Sequence, residues 1–242
     1  MKENIYDDNI FFEKYSSMNR SVKGLAGAGE WATLKSMLPD FTGKKVLDLG
    51  CGFGWHCNYA LQNGAMSVTG IDISKKMLAR ANKQTDSAAI TYINVSIEDY
   101  EYPPDSFDVV MSSLAFHYIE SFDDICSKVY TTLKAGGEFI FSVEHPIFTA
   151  EGRQDWIYDS DGNILCWPVD NYFQIGKRTA RFLDEDVVKY HRTLDSHISG
   201  LLKAGFCITG LKEPIPPDNF IPSEEMRDEM RRPMMLIISA KK

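Results

Sequence analysis

The chain has no excess of positive charge. Across 242 residues, 26 Lys and Arg stand against 34 Asp and Glu, a net charge of −8. Binding along a phosphate backbone needs Lys and Arg to neutralise phosphates, so a general nucleic-acid partner is not expected. The chain also lacks any apolar run near the roughly 18 residues that cross a bilayer, and its polar start holds no apolar core of a signal peptide. No membrane partner is expected, and the cytoplasm is the default location. Cysteine is scarce and poorly spaced: five residues, at 51, 57, 126, 166 and 207, with no Cys-x-x-Cys pair. That argues against a disulfide frame or a structural zinc and for reduced thiols. What remains is ordinary globular material, 44% apolar and 25% charged. A chain of this size buries a core without staples.

The most informative stretch is 46–54, Val-Leu-Asp-Leu-Gly-Cys-Gly-Phe-Gly. Val46, Leu47 and Leu49 suit a parallel strand covered on both faces. Gly50, Gly52 and Gly54 let the backbone turn sharply and let a ligand approach where a Cβ would clash. Trp55 to Gln62 reads as a helix stopped by Asn63-Gly64. Strand, glycine turn and helix N-terminus together make a nucleotide-type site. The spacing selects among nucleotides. A dinucleotide fingerprint needs its third glycine at the sixth position, and that position is Trp55. Ser67 to Asp72 is a second strand ending in an acid, 22 residues after Gly50, placed to take two ribose hydroxyls. Ile73 can pack on an adenine face. Ser74 is a good N-cap for a helix from Lys75 to Gln84 that turns Met77 and Leu78 inward.

The βα rhythm continues. Strands are expected at Ile90–Val95, Phe107–Met111, Glu138–Val143, Phe206–Leu211 and Met234–Ala240. Helices are expected at Gly29–Leu38, Phe122–Leu133 and Thr193–Lys203, with a Pro-rich loop over 214–222. One domain spans 1–242. Residues 1–43 form a helical N-terminal lid. The rhythm breaks over 147–185, read as an inserted cap of short strands with a hairpin turn at Asp161-Gly162-Asn163. There is no internal repeat.

The glycine loop with Asp48 two residues before it, and Gly-Ile-Asp-Ile-Ser with Met77, resemble the class I S-adenosylmethionine (SAM)-dependent methyltransferases of small-molecule type. The resemblance covers roughly 40–143 well. It implies a Rossmann-like, doubly wound, seven-stranded α/β sheet whose last strand is antiparallel and inserted between strands five and six. It implies SAM as cofactor and a small-molecule acceptor, on a monomer or homodimer. Asp48, Gly50, Cys51, Gly52 and Gly54 fall to the methionine part. Asp72, Ile73 and Met77 fall to the ribose and adenine face. Ser96, Ile97 and Glu98 fall to the adenine edge, although the family usually has an acid where Ser96 stands. Ser113 and Leu114, at the tip of strand four, meet the methionine end, with His117 beside the transferred methyl. Tyr15 and Arg20 match a tyrosine and arginine found ahead of the core in similar enzymes, where Arg grips the methionine carboxylate. His117, His145 and His191 are the candidate catalytic residues, the first as pocket wall or base. The Asn/Asp-Pro-Pro-aromatic motif and an acid cluster for magnesium are both absent, so no metal is expected. A cap crowded by Trp156, Trp167, Tyr172 and Phe173 implies an enclosed acceptor pocket. Two other readings use the same sheet: a non-catalytic SAM-binding protein, and a nicotinamide-dependent reductase, which Trp55 at the third-glycine position weakens.

Overall fold

A computed structural model of the chain describes residues 4–215 and 224–242. Eleven strands occur among them. Five make the parallel frame: β1 (Lys45–Leu49), β2 (Ser67–Asp72), β3 (Ile90–Asn94), β4 (Phe107–Ser113) and β5 (Leu133–Glu144). Two small hairpins follow, β6 (Ile157–Tyr158) with β7 (Ile164–Cys166), and β8 (Gly176–Phe182) with β9 (Glu185–His191). β10 (Cys207–Lys212) and β11 (Met235–Lys241) complete the main sheet. Its order is β10-β11-β5-β4-β1-β2-β3. β11 runs antiparallel to both neighbours, while β5, β4, β1, β2 and β3 are parallel. This is the seven-stranded, doubly wound sheet that the glycine loop implied.

Neighbouring residues on one strand feed opposite layers. Val46, Val109, Ile140 and Ile237 pack with Leu34, Phe41 and Ala60 on one face. Leu47, Val110, Phe139, Phe141 and Leu236 pack with Ile125, Val129 and Leu201 on the other. Both faces are dry, so the strands read as continuous apolar runs.

Helix boundaries follow capping chemistry. The Ser74 hydroxyl accepts from Met77 N and starts the helix Lys75–Lys83, and Thr193 accepts from Ser196 N to start Leu194–Ala204. Gly205, at φ 102, ends the latter. The N-terminal segment is tied down by its own cap. Asp8 accepts from Phe11 N ahead of the helix Asn9–Ser17, and Asp7 accepts from the Ser74 hydroxyl at 2.6 Å and from Lys76 N at 3.1 Å. The carboxylate thus complements the positive end of the helix after β2 and brings Tyr6 and Tyr15 over the carboxyl edge of the sheet.

Two differences from the sequence reading have physical causes. β5 begins at Leu133 rather than Glu138, because Leu133 already pairs with Phe107 and the chain bulges before Glu138 rejoins Val109. The hairpin β8–β9 runs to His191, beyond the boundary read at residue 185. Its turn residues Leu183 and Asp184 both have positive φ, 53 and 63, without the Asn-Gly that would announce such a turn. Most of the loop expected over 214–222 lies outside the described residues. Among those described, no helix is long and apolar enough to cross a membrane.

Candidate active site

A cavity of about 460 Å3 opens over the carboxyl edge of β1, β2 and β4. The tip of the glycine loop forms its floor. Gly50 and Gly52 both line it, at φ 74 and φ 52. A side chain at position 50 would put its Cβ 2.6 Å from the Ala115 Cβ, so the close passage of loop past strand tip needs glycine there. The amides of Gly50 and Cys51 both donate to Ile71 O at 2.9 Å, which fixes the loop against β2.

Asp72 stands at the junction. Its two carboxylate oxygens accept from Gly52 N at 2.9 Å and Ser74 N at 2.8 Å, so the acid is held at a set angle while its remaining lone pairs face the cavity. Burial pushes its carboxyl up to about 6, against the pull of those two amides. The other expected cofactor residues that line the same volume are Tyr15, Arg20, Ile73, Met77, Ser96, Ile97, Glu98, Ser113, Leu114 and His117. Leu114 holds φ 54, unusual for a branched residue, and its N–H donates to Ser142 O at 2.9 Å. The Ser96 hydroxyl is engaged with Asp99, to which it donates at 2.9 Å.

Three expected members of the loop lie elsewhere. Asp48 is buried beneath the loop, accepts from the Cys57 thiol and carries a carboxyl raised by burial to about 7. Cys51 points into the core with Cys57 beside Gly70. Gly54 is the left-handed N-cap of the helix Trp55–Gln62, pressed against the Tyr92 hydroxyl. None of the three lines the cavity: the loop has two sides, and alternate residues face the core.

The histidines separate in the same way. His117 lines the cavity from the 3-10 turn Phe116–Tyr118 after β4. Its Nδ1 accepts from Glu144 N at 3.4 Å, and burial lowers it to about 4, so it is neutral at pH 7. His145 is turned away: its Nδ1 caps Ile147 N at 3.0 Å and its Nε2 lies 2.9 Å from Glu213 Oε1. His191 is locked between Thr149 Oγ1 at 2.7 Å and Tyr172 O at 2.9 Å. Both nitrogens of His191 are hydrogen-bonded to protein, His145 is so bonded at Nδ1 with its Nε2 beside the Glu213 carboxylate, and neither ring lines the cavity.

The outer wall differs from the one expected. Trp156 and Trp167 do not line the cavity; with Phe148 they surround the Arg232 guanidinium, which lies 3.9 Å from the Trp167 ring centre and 4.9 Å from that of Trp156. Phe173 is solvent-exposed. The aromatic wall is instead Tyr6, Tyr118, Phe148 and Phe182. Three basic residues lie along β8, Lys177, Arg178 and Arg181; of these only Arg181 lines the cavity, and Arg178 ties down the carbonyls of Ala150 and Asn171.

Sequence reasoning missed two polar sets. Glu30 is buried, lines the cavity and is salt-bridged to Arg20, with its second oxygen lacking a hydrogen-bond partner. Glu144, Gln154 and Lys189 also converge on the cavity wall from three distant parts of the chain. An acid ending β5 was readable as a strand tip; the other members carry no local signal.

A parallel sheet with a glycine turn after β1 and an oriented acid after β2, both facing one cavity, defines a nucleoside-binding enzyme scaffold of the Rossmann-like kind. The family model for a methyltransferase domain matches residues 47–141. Two solved structures cover nearly whole chains. A Listeria monocytogenes protein assigned as an S-adenosylmethionine-dependent methyltransferase is 59% identical, with a TM-score of 0.87, over 90% of this chain and 99% of that one. An S-adenosylmethionine-dependent methyltransferase from Mesorhizobium loti is 42% identical, with a TM-score of 0.84, over 90% and 100%. The chain belongs to the SAM-dependent methyltransferase family, and SAM is its methyl donor. Among curated relatives, malonyl-[acyl-carrier protein] O-methyltransferase of Enterobacter lignolyticus is 36% identical over 51% of this chain and 48% of its own length. A tRNA U34 carboxymethyltransferase of Hahella chejuensis is 31% identical over 60% and 42%. The chain therefore spans about half the length of these relatives. Membership of the family disposes of the nicotinamide reading.

Proposed function

We propose that the chain transfers the methyl group of SAM to a small molecule bound beside it in the same cavity. The observation that carries this reading is the shared volume: the glycine loop, Asp72 and His117 open onto one space closed on its far side by Tyr6, Tyr118, Phe148 and Phe182. Such a recess suits a small acceptor better than a nucleic acid or a protein surface, and the net charge of −8 agrees.

The residues present fit the donor. Asp72 takes the ribose hydroxyls, with its angle preset by Gly52 and Ser74. Gly50 and Gly52 admit the methionine part closely. Ile73 and Met77 cover the adenine face, and Ser96, Ile97 and Glu98 meet its edge. Ser113 and Leu114 present backbone to the methionine end. Arg20 grips the methionine carboxylate, and Tyr15 packs beside it. Glu30 holds Arg20 in place, and its unpaired oxygen is accounted for by the amino group of the same ligand, since a buried carboxylate oxygen without a donor is costly. The donor supplies an electrophilic methyl on a sulfonium leaving group. The chain supplies alignment and a dry pocket, worth on the order of 7–11 kcal/mol in well-oriented reactions. Residues 1–43 act as a lid and residues 147–185 as the core of a cap.

The test uses isotopically labelled SAM and two size fractions of acceptor. Transfer of label to material passing a small-pore filter supports the proposal; transfer only to RNA or protein refutes it. Asp72→Ala is expected to weaken SAM at least about 100-fold by calorimetry, near 2.7 kcal/mol, with circular dichroism unchanged. Near-normal affinity refutes the ribose role.

A further inference from the structure

Glu144, at the end of β5, holds three polar side chains at the acceptor side of the cavity. Its Oε1 accepts from Lys189 Nζ at 2.5 Å and its Oε2 from Gln154 Nε2 at 2.8 Å. Lys189 also donates to Gln154 Oε1 at 2.8 Å, closing a triangle. The Glu144 backbone N–H donates to His117 Nδ1. The four residues come from β5, β9, the loop before β6 and the turn after β4, and all four line the cavity. Gln154 holds φ 60, a conformation that non-glycine residues adopt only where the surroundings impose it.

The hydrogen-bond inventory of this cluster is one-sided. Glu144 has both oxygens committed and its charge is balanced by Lys189. Lys189 has three protons and two oxygen partners; the third has only the Phe182 ring, 5.3 Å away. Gln154 has a second amide proton with no protein acceptor. His117, neutral and accepting at Nδ1, carries its proton on Nε2, which has no protein partner. Each of the three keeps one free donor, while the cluster's acceptor oxygens, Glu144 Oε1 and Oε2 and Gln154 Oε1, each already accept one hydrogen bond. Arg181, ion-paired with Asp186 at 3.4 Å, also lines the cavity.

We infer that the acceptor is a carboxylate, seated on Lys189, Gln154 and His117 and methylated on oxygen. This rests on the methyltransfer reading above. One carboxylate oxygen takes the donors. A lone pair of the other forms the new O–C bond while the C–S bond breaks and leaves its electron pair on sulfur. The cationic sulfonium becomes a neutral thioether, the anion becomes a neutral methyl ester, and no proton moves. A base is therefore not needed, which agrees with a His117 that offers a proton rather than accepts one. Glu144 is a positioning residue in this scheme.

The experiment incubates the whole chain with [methyl-3H]SAM and the acidic, neutral and basic fractions of a small-molecule extract, then treats the products with alkali. Methyl esters release labelled methanol; ethers and amines do not. Label in the acidic fraction that is released by base is expected. Label only in the neutral or basic fractions, label stable to base, or no transfer to the acidic fraction overturns the inference. With the acid so found, His117→Ala is expected to lose about 100-fold in kcat/KM and His117→Gln, which restores an N–H but no strong base, to regain most of it. Equal loss in both overturns the donor role. A long-range 15N–1H spectrum at pH 7 reads the tautomer without turnover; a proton on Nδ1 contradicts the scheme. S-adenosylhomocysteine affinity is measured for each protein. Its absence in the wild type would sink the cofactor reading itself, a result distinct from failure of the carboxylate.

Discussion

At the scale of single residues, the most consequential are acids whose surroundings oppose their charge. Asp48 is fully buried under the loop, and burial holds its carboxyl at about 7. The folded chain thus keeps that proton at pH values where the unfolded chain, near 3.9, has released it. The residue weakens the fold above pH 7 by an amount of order 3–4 kcal/mol, and that penalty fades as the pH falls from about 7 toward 4. Asp48→Asn is expected to unfold at higher urea than the wild type at pH 8, the gap narrowing through that window; an equal or growing gap refutes the assignment. His56, His117 and His197 are held neutral by burial, with values near 4, 4 and 3, and act in the opposite direction, but they are common to both proteins and cancel in the comparison. The residue types that carried the sequence reading were those with a local job. Gly50, Gly52, Asp72 and Ser74 announce themselves because a turn, a ribose acid and a helix cap each need a short fixed pattern. Glu30, Gln154 and Lys189 do not, because their meaning comes only from partners far along the chain.

At the scale of elements, the hairpin β8–β9 is the part that was least legible and that does most to finish the site. Its strands mix Lys, Arg, Thr, Asp and Glu with few apolar residues, so neither alternation nor a turn motif marks them. Besides Lys189 and His191, one side chain just past its end docks the hairpin. Arg192 is buried, and its guanidinium donates to Phe116 O at 3.3 Å, to Ile119 O and to Glu120 O at 2.7 Å. Those carbonyls belong to the turn that carries His117. Arg192→Ala is expected to cost about 3 kcal/mol or more in urea unfolding, since it strips buried carbonyls of their donors, with Arg192→Lys intermediate because an ammonium cannot reproduce the planar fork. A variant as stable as wild type would show the hairpin to be held by other means. By contrast, β1, β2 and β4 were readable to within two residues, because each carries a short cluster of buried Val, Leu, Ile or Met next to a turn or an acid.

At the scale of the whole molecule, the cavity is shared by three bodies of sequence: the N-terminal segment through Tyr6, Tyr15 and Arg20, the sheet edge through Gly50 and Asp72, and the cap through Gln154, Phe182 and Lys189. A ligand that touches all three couples them. S-adenosylhomocysteine at 100 times its Kd is expected to add about 2.7 kcal/mol to global stability and to slow amide exchange in residues 5–30 more than in the helix Phe122–Thr132. Uniform protection across the chain would show the N-terminal segment to be as firm without ligand as with it.

The cation nested among Phe148, Trp156 and Trp167 has an optical consequence. Two of the chain's four indoles share one charged neighbour, and that neighbour sits on the segment leading into β11. Any excursion that parts the β6–β7 hairpin from this segment changes the electrostatic surroundings of both chromophores at once. Native emission therefore doubles as a gauge of where the cap stands, with no attached dye.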